Sequence, residues 1–270
     1  MKAQRAKNGG TDAYFTKPEL AARYVDLVNQ KYPLSGRLCI EPSAGDGSFL
    51  NALMCFPDVI AYDLEPKTSG IQKADFFSVS VETELPVAVI GNPPFGFAAN
   101  MAIKFFNHAA RFADVIAFIV PRSFQKSSVH NKLDPRFHCV FEEICPKNSF
   151  LVDGEEEYDV PCVFQIWEKQ SQSRLILTVN SNPYFDFTTQ NAADFCIRRV
   201  GGRTGEYLVG LEHNENTTYF CKAKRKDAKK AVLGCQLAFK ILRDQTAGVR
   251  SLSKSEINAV LTSYHAGAIA

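Results

Sequence analysis

The sequence lacks several features that would each assign it to a class of protein. No apolar run approaches the roughly 20 residues that a helix needs to cross a bilayer. The stretch Met1–Phe15 is basic and polar with no apolar core after it, so we expect neither a membrane partner nor a secretory signal. The glycine fingerprint of dinucleotide sites and the GxxxxGK phosphate loop are also absent. Pyrophosphate and triphosphate ligands are therefore disfavoured.

Signals for disulfides and metals are missing as well. The eight cysteines include no CxxC pair, and several lie within apolar runs. We therefore predict free thiols in a reducing compartment, the cytoplasm or, in a eukaryote, the nucleus. The five histidines show no ligand spacing, so no metal site is predicted. A formal net charge of +2 indicates a nucleic-acid partner only if the positive charge is clustered.

Short apolar runs alternate with helical stretches in the first part of the chain. Four runs have strand length and are apolar throughout, as strands covered on both faces are: 37–41, 59–63, 87–91 and 115–121. Helical spacing marks Met101–Ala109, and Thr16 followed by Glu19 predicts a capping box. The alternation predicts a parallel sheet with helices on both faces. Two later strand-like segments, 138–145 and 160–169, predict an antiparallel finish to this sheet.

The composition becomes polar around Gln170–Ser173, where we place a domain boundary. Strand-like segments separated by turn residues follow over 174–224. Helices are predicted over 227–243 and from Ser253, which Glu256 would cap. The chain then has three parts: a flexible basic tail at 1–11, an α/β domain at 12–170 and a small α+β unit at 171–270.

The first strand ends at Glu41, and a glycine turn containing Gly45 and Gly47 follows. Glycines let the backbone pass close to a ligand, because they have no side chain in the way. Ligands of open α/β sheets bind at the carboxyl ends of the strands. The acid at this strand end fits a ligand bearing an ammonium group. The competing interpretation is an ordinary turn between a strand and a helix.

Acidic residues also follow the second strand. Asp63 and Glu65 lie where these folds hold ribose hydroxyls, and we favour Asp63 because it is at the strand end. Asp75 could accept a hydrogen bond from the amino group of an adenine ring. The sequence thus predicts a nucleoside-bearing ligand along this sheet edge.

The segment Asn92-Pro93-Pro94-Phe95 is the most informative in the chain. Two prolines remove two backbone donors and stiffen the loop. The Asn92 amide oxygen and the Pro93 carbonyl can each accept a hydrogen from an amino group on a planar ring. Phe95 can stack on that ring, an interaction worth roughly 1–3 kcal/mol. The alternative is that Asn-Pro-Pro is only a stiff turn.

The chemistry predicted from this segment is direct displacement at a sulfonium methyl group. Catalysis would come from positioning and electrostatics, with no covalent intermediate. In duplex substrate the target base would first have to be flipped out. Methylation of cytosine C5 is disfavoured, because it needs a cysteine at this strand end and none is present.

Taken together, these motifs resemble those of class I methyltransferases, specifically the amino-methyltransferases with an N-P-P-[FYW] motif. The order of the elements is similar to that of the adenine-N6 group, and the resemblance covers roughly 12–169. It implies a Rossmann-like sheet and S-adenosylmethionine as cofactor. The implied cofactor-binding residues are Tyr14, Thr16, Glu41, Gly45, Gly47, Asp63 and Asp75. The implied catalytic residues are Asn92, Pro93, Pro94 and Phe95.

The resemblance leaves the substrate open. Adenine-N6 methylation of DNA is the leading prediction, RNA adenine-N6 methylation is second, and methylation of a protein glutamine is third. An inactive nucleic-acid-binding subunit is the alternative from another class. The unit at 171–270 would recognise the target, although it matches no recognition domain that we can name. Expected substrate contacts are Phe95, Arg122, Arg199 and Lys224. No oligomeric state is predicted.

Overall fold

The computed structural model describes residues 14–152, 156–174, 178–245 and 249–268. These residues divide into two units. The first holds the described residues up to Val120 together with Arg136–Gln172, and the second holds Pro121–Pro135 and the described residues from Ser173 onward. The second unit therefore includes a segment that precedes the predicted boundary after residue 170. No helix in the described ranges is long and apolar enough to cross a membrane.

The first unit contains ten strands and three α-helices among its described residues. In chain order they are β1 (Phe15–Thr16), α1 (Pro18–Lys31), β2 (Leu38–Glu41), α2 (Ser48–Leu53), β3 (Val59–Asp63), β4 (Ile71–Lys73), β5 (Val87–Gly91), α3 (Asn100–Ala109), β6 (Val115–Pro121), β7 (Phe137–Ile144), β8 (Phe150–Val152), β9 (Glu156–Tyr158) and β10 (Cys162–Lys169).

Seven of these strands form one sheet, in the order β4-β3-β2-β5-β6-β10-β7. β2 pairs in parallel with both β3 and β5, and the outer pairs β3–β4 and β5–β6 are parallel too. β10, the last strand in the chain to join, pairs antiparallel with β7. This order is that of the Rossmann-like class I methyltransferase sheet, so the predicted fold is confirmed. The strand order reverses between β2 and β5, where open α/β sheets bind their ligands.

Helices cover both faces of this sheet. The Tyr24 ring of α1 stacks on Phe164 of β10, with ring centroids 4.0 Å apart. Phe106 of α3 meets Trp167 of β10 edge-on at 5.3 Å. Phe164 and Trp167 are three residues apart in one strand and so point to opposite faces. Burying each such aromatic side chain contributes about 1.5–3 kcal/mol, which holds α1 and α3 on their respective faces.

A small second sheet places the start of the described chain beside the main one. β1 pairs antiparallel with β8, bringing Thr16 opposite Phe150, and β8 pairs with β9. The prediction of a capping box between Thr16 and Glu19 was wrong. The N-cap residue of α1 is Lys17, which makes no side-chain cap. Thr16 lies in β1 instead, where its hydroxyl accepts a hydrogen bond from Asn92.

The second unit is a four-stranded antiparallel sheet packed against helices. Its elements are α4 (Ser127–His130), β11 (Phe185–Thr188), β12 (Phe195–Arg198), β13 (Tyr207–Leu208), β14 (Thr218–Ala223), α5 (Ala228–Gly234), α6 (Gln236–Arg243) and α7 (Lys254–His265). The strand order is β11-β14-β12-β13. Its core includes Phe185, Phe195, Val232, Phe239 and Leu261.

Two helix predictions for this unit have different outcomes. The capping box of Ser253 and Glu256 at the start of α7 is confirmed. The single helix predicted over 227–243 was wrong, because α5 and α6 separate at Cys235. A Cβ on Gly234 would lie 2.9 Å from the Tyr264 ring, so the chain turns where that ring packs. The predicted strand at 174–179 includes residues 175–177, which lie outside the described residues.

Candidate active site

The turn after β2 is shaped by two glycines in left-handed conformation. Gly45 has φ +53° and Gly47 has φ +90°. A Cβ on Gly45 would lie 3.0 Å from Cε1 of Phe15, and one on Gly47 would lie 2.7 Å from Cγ2 of Thr68. The turn is therefore packed closely between β1 and the segment after β3. This close approach explains why the sequence has glycine at both predicted positions.

Replacing Gly47 by alanine is expected to destabilise this turn and weaken cofactor binding. A non-glycine residue in left-handed backbone costs about 1–2 kcal/mol, and the new methyl group would also displace Thr68. Denaturant unfolding and calorimetric titration with S-adenosylmethionine measure the two effects. Gly36→Ala is the matched control, because nothing lies within 4 Å of its added Cβ. Equal behaviour of the two variants would contradict a specific role for the Gly47 turn.

Asp63, the predicted ribose contact, already supports the glycine turn. Its Oδ2 accepts the Gly45 N–H at 2.8 Å, and its Oδ1 accepts the Glu65 N–H at 2.8 Å. Each carboxylate oxygen retains a second lone pair for a hydroxyl donor. The Glu65 side chain, the alternative candidate, is exposed. Asp75 is also exposed, and its Oδ1 accepts the Phe77 N–H at 3.0 Å.

Glu41 is a buried carboxylate at the carboxyl end of β2. Its side chain is only 2% exposed, and its Oε2 has no hydrogen-bond partner. Burial, reinforced by the negative charges of Asp46 and Asp63, raises the pKa of Glu41 well above its usual value. Room for this side chain comes from Gly91, whose Cβ would lie 3.4 Å from Glu41 Cγ. Such an oxygen, deprived of water and of a partner, would be stabilised by a cationic donor.

The side-chain amide of Asn92 is held in one orientation by Tyr14 and Thr16. Its Nδ2 donates to the Tyr14 carbonyl and to the Thr16 hydroxyl, both at 3.2 Å. A carbonyl only accepts hydrogen bonds, so the nitrogen must face β1 and the oxygen must face away. That Oδ1 is buried and has no partner. Tyr14 and Thr16, predicted as cofactor contacts, therefore have a role that the sequence analysis missed.

The rest of the Asn-Pro-Pro-Phe loop is anchored on both sides. The Ser43 hydroxyl donates to the Asn92 carbonyl at 3.3 Å. Pro93 is buried and Pro94 is exposed, while Phe95 is half-buried and packs against the core. The loop thus has a fixed backbone on which an aromatic ring and an unpaired amide oxygen lie three residues apart.

An unusual backbone follows directly after Phe95. Gly96, Ala98 and Ala99 have φ values of +66°, +52° and +61°. Left-handed backbone costs an alanine about 1–2 kcal/mol, so two of them represent appreciable strain. Strain of this kind persists where the surrounding structure enforces it, often at functional sites.

The predicted substrate contacts of the second unit differ in availability. The Nε of Arg122 is buried without a hydrogen-bond partner. Arg199 places its guanidinium 5.1 Å from the centre of the Tyr219 ring. Lys224 is paired with Asp186 at 3.0 Å and so already has an anionic partner. Arg122 and Arg199 remain better candidates for a phosphate than Lys224 does.

The second unit also carries a cationic cavity of about 320 Å³. Its lining residues are Arg198, Gly202, Arg203, Leu208 and His213. Arg203 pairs with Glu206 at 2.7 Å, whereas Arg198 forms no ion pair with any described residue. Arg198 therefore offers the less neutralised positive charge in this cavity.

A lysine-rich segment begins at the end of β14 and is less basic than its sequence indicates; its cations are Lys222, Lys224, Arg225, Lys226, Lys229 and Lys230. Lys222 pairs with Asp194 and Arg225 pairs with Asp227, each at 2.8 Å. The cations of this segment that form no ion pair within the described ranges are Lys226, Lys229 and Lys230. Half of the six cations in this segment are thus neutralised by neighbouring carboxylates.

Cysteine and metal chemistry add nothing to this site. All eight cysteines are free thiols, and six of them are buried. Burial raises the pKa of Cys162 and of Cys221, which keeps these thiols protonated. Among the residues that the structure describes, no group of three or more histidines, cysteines or acids could hold a metal ion.

Comparisons with known proteins give distant structural matches. No protein-family model and no curated protein sequence matches the chain. Among solved structures, a protein assigned as an RNA methyltransferase from Pyrococcus horikoshii is 16% identical with a TM-score of 0.48, covering 63% of this chain and 94% of its own. A modification subunit assigned to a type I restriction enzyme from Vibrio vulnificus is 13% identical with a TM-score of 0.46, covering 60% and 45%.

A third similar structure is a protein from Listeria monocytogenes assigned as a class I S-adenosylmethionine-dependent methyltransferase. It is 16% identical with a TM-score of 0.44, covering 63% of this chain and 65% of its own. At these identities and TM-scores the matches carry no argument about substrate. The class of fold rests on the strand order of this chain.

Proposed function

We propose that this chain is an S-adenosylmethionine-dependent methyltransferase that methylates the exocyclic N6 of adenine in DNA. The observation that carries the proposal is the orientation of Asn92. Its Nδ2 is occupied by Tyr14 and Thr16, which leaves a buried, unpartnered Oδ1. An amino group attached to a planar ring is the donor that this acceptor fits. Phe95, three residues further along the loop, is suited to stack on that ring.

The residues at the strand ends fit the proposed cofactor. The buried, unpartnered Oε2 of Glu41 suits the ammonium group of the methionine part. Asp63 has spare lone pairs for the ribose hydroxyls, and Asp75 would accept a hydrogen bond from the amino group of the adenine ring. A Cβ added at Gly45 or at Gly47 would collide with Phe15 or Thr68, so these two positions of the turn have no room for a side chain. When bound, S-adenosylmethionine supplies a methyl group on a positively charged sulfur.

The transfer needs positioning more than acid or base chemistry. Hydrogen bonds to Asn92 Oδ1 turn the N6 lone pair out of the ring plane and toward the methyl carbon. The N6–carbon bond would form as the carbon–sulfur bond of the bound cofactor breaks, so the cofactor would leave with a neutral sulfur. The nitrogen, now positively charged, then releases one proton to water. Placing these groups in a fixed, partly dry loop lowers the barrier without a covalent intermediate.

Methyl transfer from radiolabelled S-adenosylmethionine to matched DNA and RNA pools tests the proposal. The products are digested to nucleosides, and the Asn92→Ala protein is assayed alongside. We expect label in N6-methyladenine from the DNA pool with the wild-type protein only. Label confined to the RNA pool would move the substrate to RNA, where a 2′-hydroxyl can be required.

Two other results would overturn the proposal in different ways. Label in protein glutamine, with none in either nucleic-acid pool, would identify a protein methyltransferase. Binding of nucleic acid without binding of S-adenosylmethionine would identify an inactive subunit that keeps the fold. Calorimetry with the cofactor and a shift assay with DNA separate these cases.

Replacing Arg198 by alanine is expected to weaken DNA binding and make it less sensitive to salt. Arg198 has no ion pair within the described residues and lines the cationic cavity. Removal of one phosphate contact lowers the slope of log affinity against log salt concentration by about one. Fluorescence anisotropy across a salt series measures this slope. Lys222→Ala is the control, because Lys222 is already paired with Asp194; equal losses in both variants would contradict a role for the cavity.

A further inference from the structure

Phe97 stands out among the apolar side chains of the molecule. It is 87% exposed, more than any other large apolar side chain that the structure describes. It lies two residues after Phe95, at the end of the loop that carries Asn92. Water contact with a phenyl ring is unfavourable, since burial of such a side chain is a main source of stability. A ring placed in solvent beside the candidate active site is therefore suited to contact another molecule.

The backbone around Phe97 fixes this exposure. Gly96 and Ala98, its two neighbours, both have positive φ. The loop is closed by hydrogen bonds from Ala99 N to the Gly96 carbonyl at 3.3 Å and from Met101 N to the Phe95 carbonyl at 3.1 Å. Gly96 is packed so closely that an added Cβ would lie 2.8 Å from Met101 Cβ. The backbone on both sides of Phe97 is thus held in the conformation that leaves its ring exposed.

We propose that Phe97 enters the base stack of duplex DNA beside the target adenine and occupies the space that the rotated base leaves. This inference rests on the proposed function, and it assigns to Phe97 a role in positioning the substrate. An inserted apolar ring compensates in part for the stacking that is lost when a base leaves the helix. Phe95 would stack on the extruded base, while Phe97, on the same rigid loop, would replace it in the helix.

The test compares two duplexes that differ only in the cost of extruding the adenine. The first contains an adenine that the wild-type protein methylates in a DNA pool, and the second has an abasic site opposite that adenine. Phe97→Ala is expected to lower kcat/KM on the paired duplex about 10–100-fold, the scale of one lost stacking contact. On the abasic duplex the loss should be small, because the base is already unpaired. Phe97→Trp should restore most of the activity on the paired duplex.

Met54→Ala, which truncates another exposed apolar side chain, serves as the control and should leave both duplexes unaffected. If Phe97→Ala lowered kcat/KM equally on both duplexes, or on neither, the proposed insertion of Phe97 into the base stack would be overturned. Duplexes with 2-aminopurine at the target position give a readout that needs no methyl transfer. Fluorescence that rises with wild-type protein, but not with Phe97→Ala, supports the proposed insertion even if the transfer assay fails. In that case only the proposed methyl transfer is overturned. No fluorescence rise with the wild-type protein overturns the proposed insertion.

Discussion

Replacing Asn92 by alanine is expected to reduce kcat for methyl transfer by about 10³-fold, the scale found when one preorganised polar group is removed from an active site. The affinity for S-adenosylmethionine should change little, because Asn92 Oδ1 would contact the amino group of the substrate. Single-turnover transfer of a radiolabelled methyl group measures the first quantity, and calorimetry measures the second. Retention of more than a tenth of the wild-type rate would show that Asn92 does not orient the nucleophile.

Thr16 provides a sharper test of the same arrangement. Thr16→Val removes the hydroxyl that accepts from Asn92 Nδ2 while keeping the shape of the side chain. The amide would then be held by the Tyr14 carbonyl alone, and we expect kcat to fall about fivefold, as for one neutral hydrogen bond of about 1 kcal/mol. Thr16→Ser should restore activity. A change in KM for the cofactor, with kcat unaltered, would instead assign Thr16 to cofactor binding.

Replacing Glu41 by glutamine is expected to have opposite effects on cofactor affinity and on stability. Loss of the negative charge should weaken S-adenosylmethionine binding about 10–100-fold, the scale of one hydrogen bond to a charged group. The cofactor-free protein should become more stable, because a buried carboxylate without a partner on one oxygen is replaced by a neutral amide. Calorimetry and denaturant unfolding measure the two effects. Glu65→Gln, at an exposed position, is the control.

The stability of the cofactor-free protein should also depend on pH through Glu41. Its pKa is higher in the folded chain than in the unfolded chain, so the folded state retains a proton that the unfolded state releases. The Glu41 contribution is therefore favourable at low pH. It is lost as pH rises from about 4.3, the usual glutamate value, through the folded pKa. The difference in unfolding free energy between Glu41→Gln and wild type should grow over this window and then level off. A difference that is constant with pH would contradict a raised pKa.

The parallel core of the first unit could be predicted from the sequence with little error. The runs at 59–63, 87–91 and 115–121 coincide with β3, β5 and β6. These strands are covered by helices, so nearly every residue in them is apolar and the signal is strong. By contrast, β1 and β4 have two and three residues, too few for any periodicity to show. β11 has only four residues, so it also shows little periodicity.

The candidate site was predictable only in part, for a physical reason. The glycines after β2 and the Asn-Pro-Pro-Phe segment are each recognisable as candidate ligand-binding motifs from a few consecutive residues. The hydrogen bonds that orient Asn92 are accepted by Thr16 and Tyr14, which precede it in the chain by 76 and 78 positions. No local sequence pattern marks these pairs. The ion pairs of Lys222 and Lys224 are also long-range. Lys222 pairs with Asp194, which lies next to β12, and Lys224 pairs with Asp186 in β11. Local sequence predicts a type of chemistry, whereas tertiary pairing decides which groups remain available.

The position of β1 has a consequence for when the protein becomes competent during synthesis. Phe15 and Thr16 are held against Leu151 and Phe150, so the strand that orients Asn92 has no partner until the chain has grown past residue 152. The ribosome will have made the loop at Asn92 long before that. A nascent chain released before residue 150 would contain every motif of the site, yet its Asn92 amide would be free to rotate. The pairing that holds β1 against Asn92 can therefore form only after the β8 segment has left the exit tunnel.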